Sequence, residues 1–252
     1  MKLKMKTAFI AGTVLSILMA QSALAAIALD RTRVIYDGGQ KSLSLNISNE
    51  NKRLPYLAQG WIEDAQGNKI SSPLTVLPPV QRIEPGEKSQ VKVQGLPAAS
   101  SLPQDRESLF YFNLREIPPR SDKPNTLQIA LQTRIKLFYR PKGLMQTTTE
   151  MATPWQEKIT LSRQGNNYVV INPTPYFVTL VDGSDRVKGE SAKDFEPLMI
   201  DPKGKGTLKA SASALGNSPV LTYINDYGGR PQLQFSCSGN SCQATPVKDG
   251  RR

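Results

Sequence analysis

The stretch Leu127-Gln-Ile-Ala-Leu-Gln-Thr-Arg-Ile-Lys-Leu-Phe-Tyr139 alternates along its whole length. Apolar residues stand at 127, 129, 131, 135, 137 and 139, with Thr133 the one interruption. The other parity, Gln128, Ala130, Gln132, Arg134, Lys136 and Phe138, is mostly polar. A period of two places alternate side chains of a strand on one face. Thirteen residues is long against the usual strand of roughly five or six. Two placements satisfy the pattern. One is an interior strand with a polar outer face. The other is an edge strand whose apolar row is offered to another chain, an arrangement that proteins normally suppress.

Working outward, the residues before this stretch read as further short strands. Residues 27–36 form the first, and Asp37-Gly38-Gly39 supplies a turn. Ser42-Leu-Ser-Leu-Asn-Ile-Ser48 alternates cleanly, and residues 56–63 with Trp61 follow after a polar connection. Residues 74–77 and 80–83 are separated by Pro78-Pro79, which marks edge or sheet-switching segments. Residues 89–93 and 109–117 complete a series of about seven strands with no helical period. That is the pattern of an immunoglobulin-like sandwich. The proline-bearing loop 118–124 delivers the chain into the opening stretch.

Arg140-Pro141-Lys142-Gly143 breaks that stretch, and residues 142–154, threonine-rich and without period, read as a linker. A second β series then occupies 159–162, 168–172, 177–181, 197–200, 206–209, 220–224 and 233–237, with glycine-, asparagine- and aspartate-bearing turns between. The expectation is all-β: two sandwiches, at 26–141 and 155–246, with a mobile tail at 247–252.

Residues 1–25 stand apart. Lys2, Lys4 and Lys6 precede an apolar run over 8–20, and Ala23-Leu24-Ala25 supplies a small-x-small cleavage pattern. This reads as a cleaved export signal, with no later segment long enough to insert in a membrane. Removing these 25 residues, which hold three lysines and no acid, takes the chain from 252 residues and +11 to 227 residues and +8. The Lys and Arg residues are scattered rather than clustered, and export argues against nucleic acid as partner, so the charge reads as solubilising surface.

The chain has no histidine. Neither the Ser-His-Asp nor the Cys-His constellation can be built, and metal hydrolases lose their commonest ligand. No glycine loop ends in the Gly-Lys-Ser/Thr of a phosphate cradle. An enzyme is not expected, and no cofactor is implied. Cys237 and Cys242 are the only cysteines. A metal site would need a second pair, so in an oxidising compartment they read as a disulfide.

A binding role has more support. The backbone of an exposed strand can extend a partner's sheet while alternate side chains fill the partner's pockets. Burial of Leu127, Ile129 and Leu131 would contribute about 5–9 kcal/mol before ordering costs.

Four segments carry a family resemblance. Leu102-Pro-Gln-Asp-Arg-Glu-Ser-Leu-Phe-Tyr-Phe-Asn-Leu114 resembles the signature segment of the periplasmic pilus chaperones, and Ile135-Lys-Leu-Phe-Tyr-Arg-Pro141 resembles the end of their donor strand. Leu29-Asp-Arg-Thr-Arg33 and Tyr223-Ile-Asn-Asp-Tyr-Gly-Gly-Arg-Pro231 complete the match. It runs through nearly all of the chain after residue 25 and is weakest in the linker and at 182–196.

The resemblance implies two immunoglobulin-like domains set as a boomerang around a cleft. It implies pilus subunits and an outer-membrane usher as partners, and a periplasmic location. It assigns Arg33 and Lys136 to holding a subunit's C-terminal carboxylate, and Leu127, Ile129 and Leu131 to donation. It also assigns Glu107, Arg140 and Asp226 to a charged contact between domains, and Cys237 and Cys242 to a disulfide. The short loop 118–124 is similar to that of chaperones serving rod-like pili. The edge-strand pattern adds a possible self-capping homodimer.

Lys136 has the opposite parity to the apolar row, so a flat strand aims it away from the donated side chains; twist, or a bulge near Thr133, would be needed to bring it round. The competing reading, a structural immunoglobulin-like pilus subunit or adhesin, should show an incomplete sandwich and a free N-terminal extension. The two full strand series argue against it.

Overall fold

Leu45 and Ile47, Val91 and Val93, Ile62, and Phe110, Phe112 and Leu114 are the inward members of alternating strands, and they meet in one buried cluster with Leu137 and Tyr139. That cluster is the core of the first domain in a computed structural model describing residues 25–122, 124–147, 150 and 153–247. Residues 1–24 of the expected signal, 123 of the loop 118–124, 148, 149, 151 and 152 of the linker, and 248–252 of the tail lie outside the described residues. Among those described, no helix is long and apolar enough to cross a membrane.

Among the described residues the first domain has ten strands: β1 (Ile27–Leu29), β2 (Arg33–Asp37), β3 (Ser42–Asn49), β4 (Tyr56–Glu63), β5 (Lys69–Ile70), β6 (Leu74–Leu77), β7 (Val80–Ile83), β8 (Lys88–Gly95), β9 (Ser108–Ile117) and β10 (Gln132–Arg140). One sheet has the order β1-β3-β8-β6; the other runs β2-β10-β9-β4-β5, with β7 also on β4. The Pro78-Pro79 pair does mark a sheet switch, since β6 lies in one sheet and β7 in the other.

The single first strand expected over 27–36 is corrected to two. β1 pairs antiparallel with β3, whereas β2 pairs parallel with β10 in the opposite sheet. The physical reason is a change of parity. Ile27 and Leu29 face inward at odd positions, Val34 and Tyr36 at even ones, and no straight strand can bury both sets. The crossing at residues 30–32 is fastened to β3. Asp30 donates its N–H to the Asn46 carbonyl at 3.1 Å, and its carboxylate accepts from Asn46 Nδ2 at 2.8 Å.

This crossing shapes the opening stretch too. β10 has β9 along one side from Gln132 to Tyr139 and β2 along the other only from Lys136 to Arg140. Before Arg33 the chain has left for the other sheet, so among the described residues no strand fills the lane beside β10 upstream of Lys136. The thirteen-residue strand is corrected accordingly: regular pairing begins at Gln132, and residues 127–131 have no strand partner among the described residues.

The second domain contains β11 (Thr160–Gln164), β12 (Asn167–Ile171), β13 (Val178–Ser184), β14 (Leu198–Ile200), β15 (Lys205–Ser211), β16 (Val220–Tyr223), β17 (Gln232–Ser238) and β18 (Ser241–Pro246). They form one continuous sheet, β14-β13-β16-β17-β18-β11-β12-β15. Its two ends meet: a Cβ added at Gly206 on β15 would stand 3.1 Å from Leu198 on β14. The sheet therefore folds over a core that includes Tyr168, Leu180, Leu208 and Phe235. The sequence pattern missed β18, and it missed a four-residue helix, α1 (Ala212–Leu215), capped by the Ser211 hydroxyl. Cys237 and Cys242 face each other across the β17–β18 hairpin and are joined as a disulfide. The turn between them has Gly239 at φ +60°, which favours glycine.

Candidate functional site

The two faces of β10 separate the side chains by role. Ile135, Leu137 and Tyr139 point into the first domain's core, and Lys136, Phe138 and Arg140 lie on the other face, where Phe138 and Arg140 meet the second domain. Leu127, Ile129 and Leu131 continue the inward parity beyond the point where the domain's own core ends. They are 85%, 65% and 41% exposed. Of the two placements the pattern allowed, the structure has the exposed row.

Of the two devices considered for Lys136, the bulge is absent. The β10–β9 register is unbroken from Gln132 to Tyr139, so there is no bulge near Thr133. The lysine lies on the face opposite the apolar row, the face from which Phe138 and Arg140 reach Phe177 and Asp226 of the second domain. There it is directly paired in register with Arg33 of β2. Both side chains are half-buried.

Neither cation has a carboxylate within ion-pair distance among the described residues. Arg33 Nη1 donates to the Ile224 carbonyl of the second domain at 3.1 Å, and its guanidinium lies 5.7 Å from the Phe138 ring centre. Burial pulls the Lys136 ammonium below its ordinary pKa, and Arg33 beside it adds to the pull. Burial likewise lowers Arg33, with Asp226 and Glu107 acting in the other direction. Two half-buried cations without a carboxylate at ion-pair distance, at the end of the strand lane, have the chemistry to hydrogen-bond an anion.

Glu107, Arg140 and Asp226 do come together. Arg140 Nε donates to Glu107 Oε1 at 2.8 Å, and its two terminal nitrogens donate to the Asp226 carboxylate at 2.7 and 3.1 Å. The second Glu107 oxygen accepts the Phe177 N–H at 2.8 Å, so this acid also reaches from the first domain to the second. Burial alone lowers the arginine's pKa, but the bonds to Asp226 and the charge of Glu107 hold it above its ordinary value. Tilted packing of Phe138 on Phe177, with ring centres 5.4 Å apart, adds an apolar contact that the sequence reading did not single out. Its signal was an aromatic residue on the polar parity of the opening stretch.

Glu116 was also missed. It stands on β9 after Phe110, Phe112 and Leu114, on the inward row, and is 6% exposed. A carboxylate in line with three core residues is the pattern that could have flagged it. Among the described residues no group of three or more metal-capable side chains occurs.

The family model "Pili and flagellar-assembly chaperone, PapD N-terminal domain" matches residues 26–145, and "Pili assembly chaperone PapD, C-terminal domain" matches residues 154–235. The chain is 56% identical over 222 residues to the probable fimbrial chaperone YfcS of Escherichia coli (strain K12), covering 88% of this chain and 87% of that one. It is 52% identical over 225 residues to the chaperone protein PapD of Escherichia coli, covering 89% and 92%. Among solved structures, the periplasmic chaperone SfaE matches with a TM-score of 0.65 at 33% identity over 82% of this chain and 98% of that one. A chain from the Salmonella enterica SafA pilin–SafB chaperone complex matches at 0.70 and 25% identity, over 86% and 99%. Both domains match in order and the curated relatives are fimbrial chaperones, so this chain belongs to the PapD family of pili-assembly chaperones.

Proposed function

We propose that this chaperone captures pilus subunits in the periplasm by lending them a strand and passes them to an outer-membrane usher. The observation that carries the reading is the lane beside β10 that no strand fills among the described residues. A partner strand entering it takes the place that β2 would occupy had the chain not crossed at residues 30–32. Because β2 runs parallel to β10, a partner running the same way ends with its C-terminal carboxylate against Arg33 and Lys136. Its position there sets the register in which Leu127, Ile129 and Leu131 meet the subunit's groove, and a one-residue slip would present the wrong face. In the proposed division, residues 26–141 form the chaperone domain with its donor strand, 142–154 the connection, and 155–246 the second domain; 1–25 are the export signal and 247–252 a tail. No catalytic step or cofactor enters this reading.

The test uses an alternating apolar peptide of about nine residues, the length that spans 127–135 at 3.3 Å per residue. The free-carboxylate form is expected to bind at least tenfold more tightly than the C-terminal amide. Equal affinities would remove the anchor.

The apolar row is also expected to drive self-association when no subunit is present. Sedimentation at high concentration should show dimers of the parent chain and monomers of Ile129→Asp, which places a charge in the row. The same variant should lose recovery of a co-expressed pilin subunit. A monomeric parent would count against the self-capping dimer, and a pilin yield unchanged by Ile129→Asp would count against donation.

A further inference from the structure

The first domain must leave Leu127, Ile129 and Leu131 uncovered although they share the inward parity of its own core. The inward row of β9 shows how. After Phe110, Phe112 and Leu114, the next inward position is Glu116, where the apolar surface that Leu131 would otherwise cover is replaced by a carboxylate. Its oxygens are directed at backbone from both sheets. Oε2 accepts the Ile27 N–H of β1 at 3.0 Å in a buried bond, and Oε1 accepts the Leu131 N–H at 3.4 Å. The Glu116 backbone N–H donates to the Leu131 carbonyl at 3.0 Å. Leu131 is thus held through its carbonyl and its N–H by one residue, at the place where β10 pairing stops.

We propose that Glu116 is a positioning residue for strand donation, fixing the point at which the donor row leaves the sheet and denying that row a resting place on the chaperone's own core. A buried carboxylate without hydrogen-bond donors is costly, so the geometry is self-enforcing: Glu116 is satisfied only with Ile27 and Leu131 in place. It ties β1 of one sheet to the residue that precedes β10 in the other, and acts at the end of the donor row nearer Arg33 and Lys136. The proposal rests on the donation reading above.

Two variants test it, Glu116→Met and Glu116→Gln, with Lys136→Ala alongside. In the unliganded Met variant, amide exchange at Ile27 and Leu131 should be at least tenfold faster, while Phe112 and Leu137 in the core keep the parent's protection. Binding of the free-carboxylate peptide should weaken at least tenfold. The Gln variant keeps one acceptor oxygen and should fall between parent and Met in affinity, which preserves a reading if the Met variant folds poorly. Parent-like exchange at both amides, or parent-like affinity in both variants, would overturn the proposal. If Lys136→Ala also binds the peptide normally, it is the anchored capture of the proposed function that fails; if Lys136→Ala loses binding and the Glu116 variants do not, only the role of Glu116 falls.

Discussion

Replacing Lys136 or Arg33 by alanine is expected to abolish recovery of pilus subunits while the chaperone stays folded. Truncating one partner of a desolvated, hydrogen-bonded charge pair costs about 2 kcal/mol or more, a factor of about 30 in affinity. The fold should tolerate the loss at Lys136 because the charge there opposes folding. Its pKa is lowered in the folded protein by burial and by Arg33. The unfolded chain therefore binds more protons between the folded and unfolded pKa values, and stability rises as the pH climbs through that window. Lys136→Met should thus leave the melting temperature unchanged or raise it.

Binding has the opposite dependence. A carboxylate seated on the lysine raises its pKa again, so affinity is full below the depressed pKa of the free chaperone and falls as the pH rises through it. Titration calorimetry with the free-carboxylate peptide, from neutral into the alkaline range, measures this. Lys136→Arg should remove the alkaline fall, because the guanidinium stays protonated throughout. A fall that persists in the arginine variant would assign the titration to another group.

Arg140→Ala should produce the largest loss of stability. The arginine and Glu107 side chains are 3% and 2% exposed, so removing the arginine strands a carboxylate in the interface between domains. Breaking a buried pair in this way costs about 3–5 kcal/mol. For a chain of this size that lowers the melting temperature by roughly 10 °C. The damage should come from the unpaired charge rather than from a missing attraction. A double variant with Glu107→Leu and Arg140→Met should therefore regain most of the loss in thermal denaturation. Small-angle scattering of that double variant should still report a broader range of domain arrangements, because the bonds from Arg140 to Asp226 and from Glu107 to Phe177 are gone.

Much of this architecture was legible in the sequence. Strand alternation and turn residues located most of the strands, because a half-buried strand writes its burial directly into odd and even positions. The exposed row at Leu127, Ile129 and Leu131 was visible as a pattern, although the same pattern fits an interior strand. Arg33, Lys136, Glu107, Arg140 and Asp226 were singled out through family motifs. Judged singly, each is an ordinary surface charge, and nothing in their spacing brings residues 107, 140 and 226 together.

Local alternation, then, was enough to define the β elements and the inward parity of the stretch from Leu127 to Tyr139, since both follow from the geometry of a single strand. It did not contain the neighbours. That β1 crosses to the opposite sheet, leaving the lane beside Leu127 and Ile129 without a strand among the described residues, depends on long-range pairing with β3. That Lys136 faces Arg33 rather than solvent depends on a parallel register between segments a hundred residues apart. Parity says which side of a strand a residue occupies; what stands on that side is decided when distant segments pack. Lys136 seemed misdirected only while its strand was considered alone: its face turns away from the donor row, to the side where Phe138 and Arg140 meet the second domain and the partner's carboxylate is proposed to end.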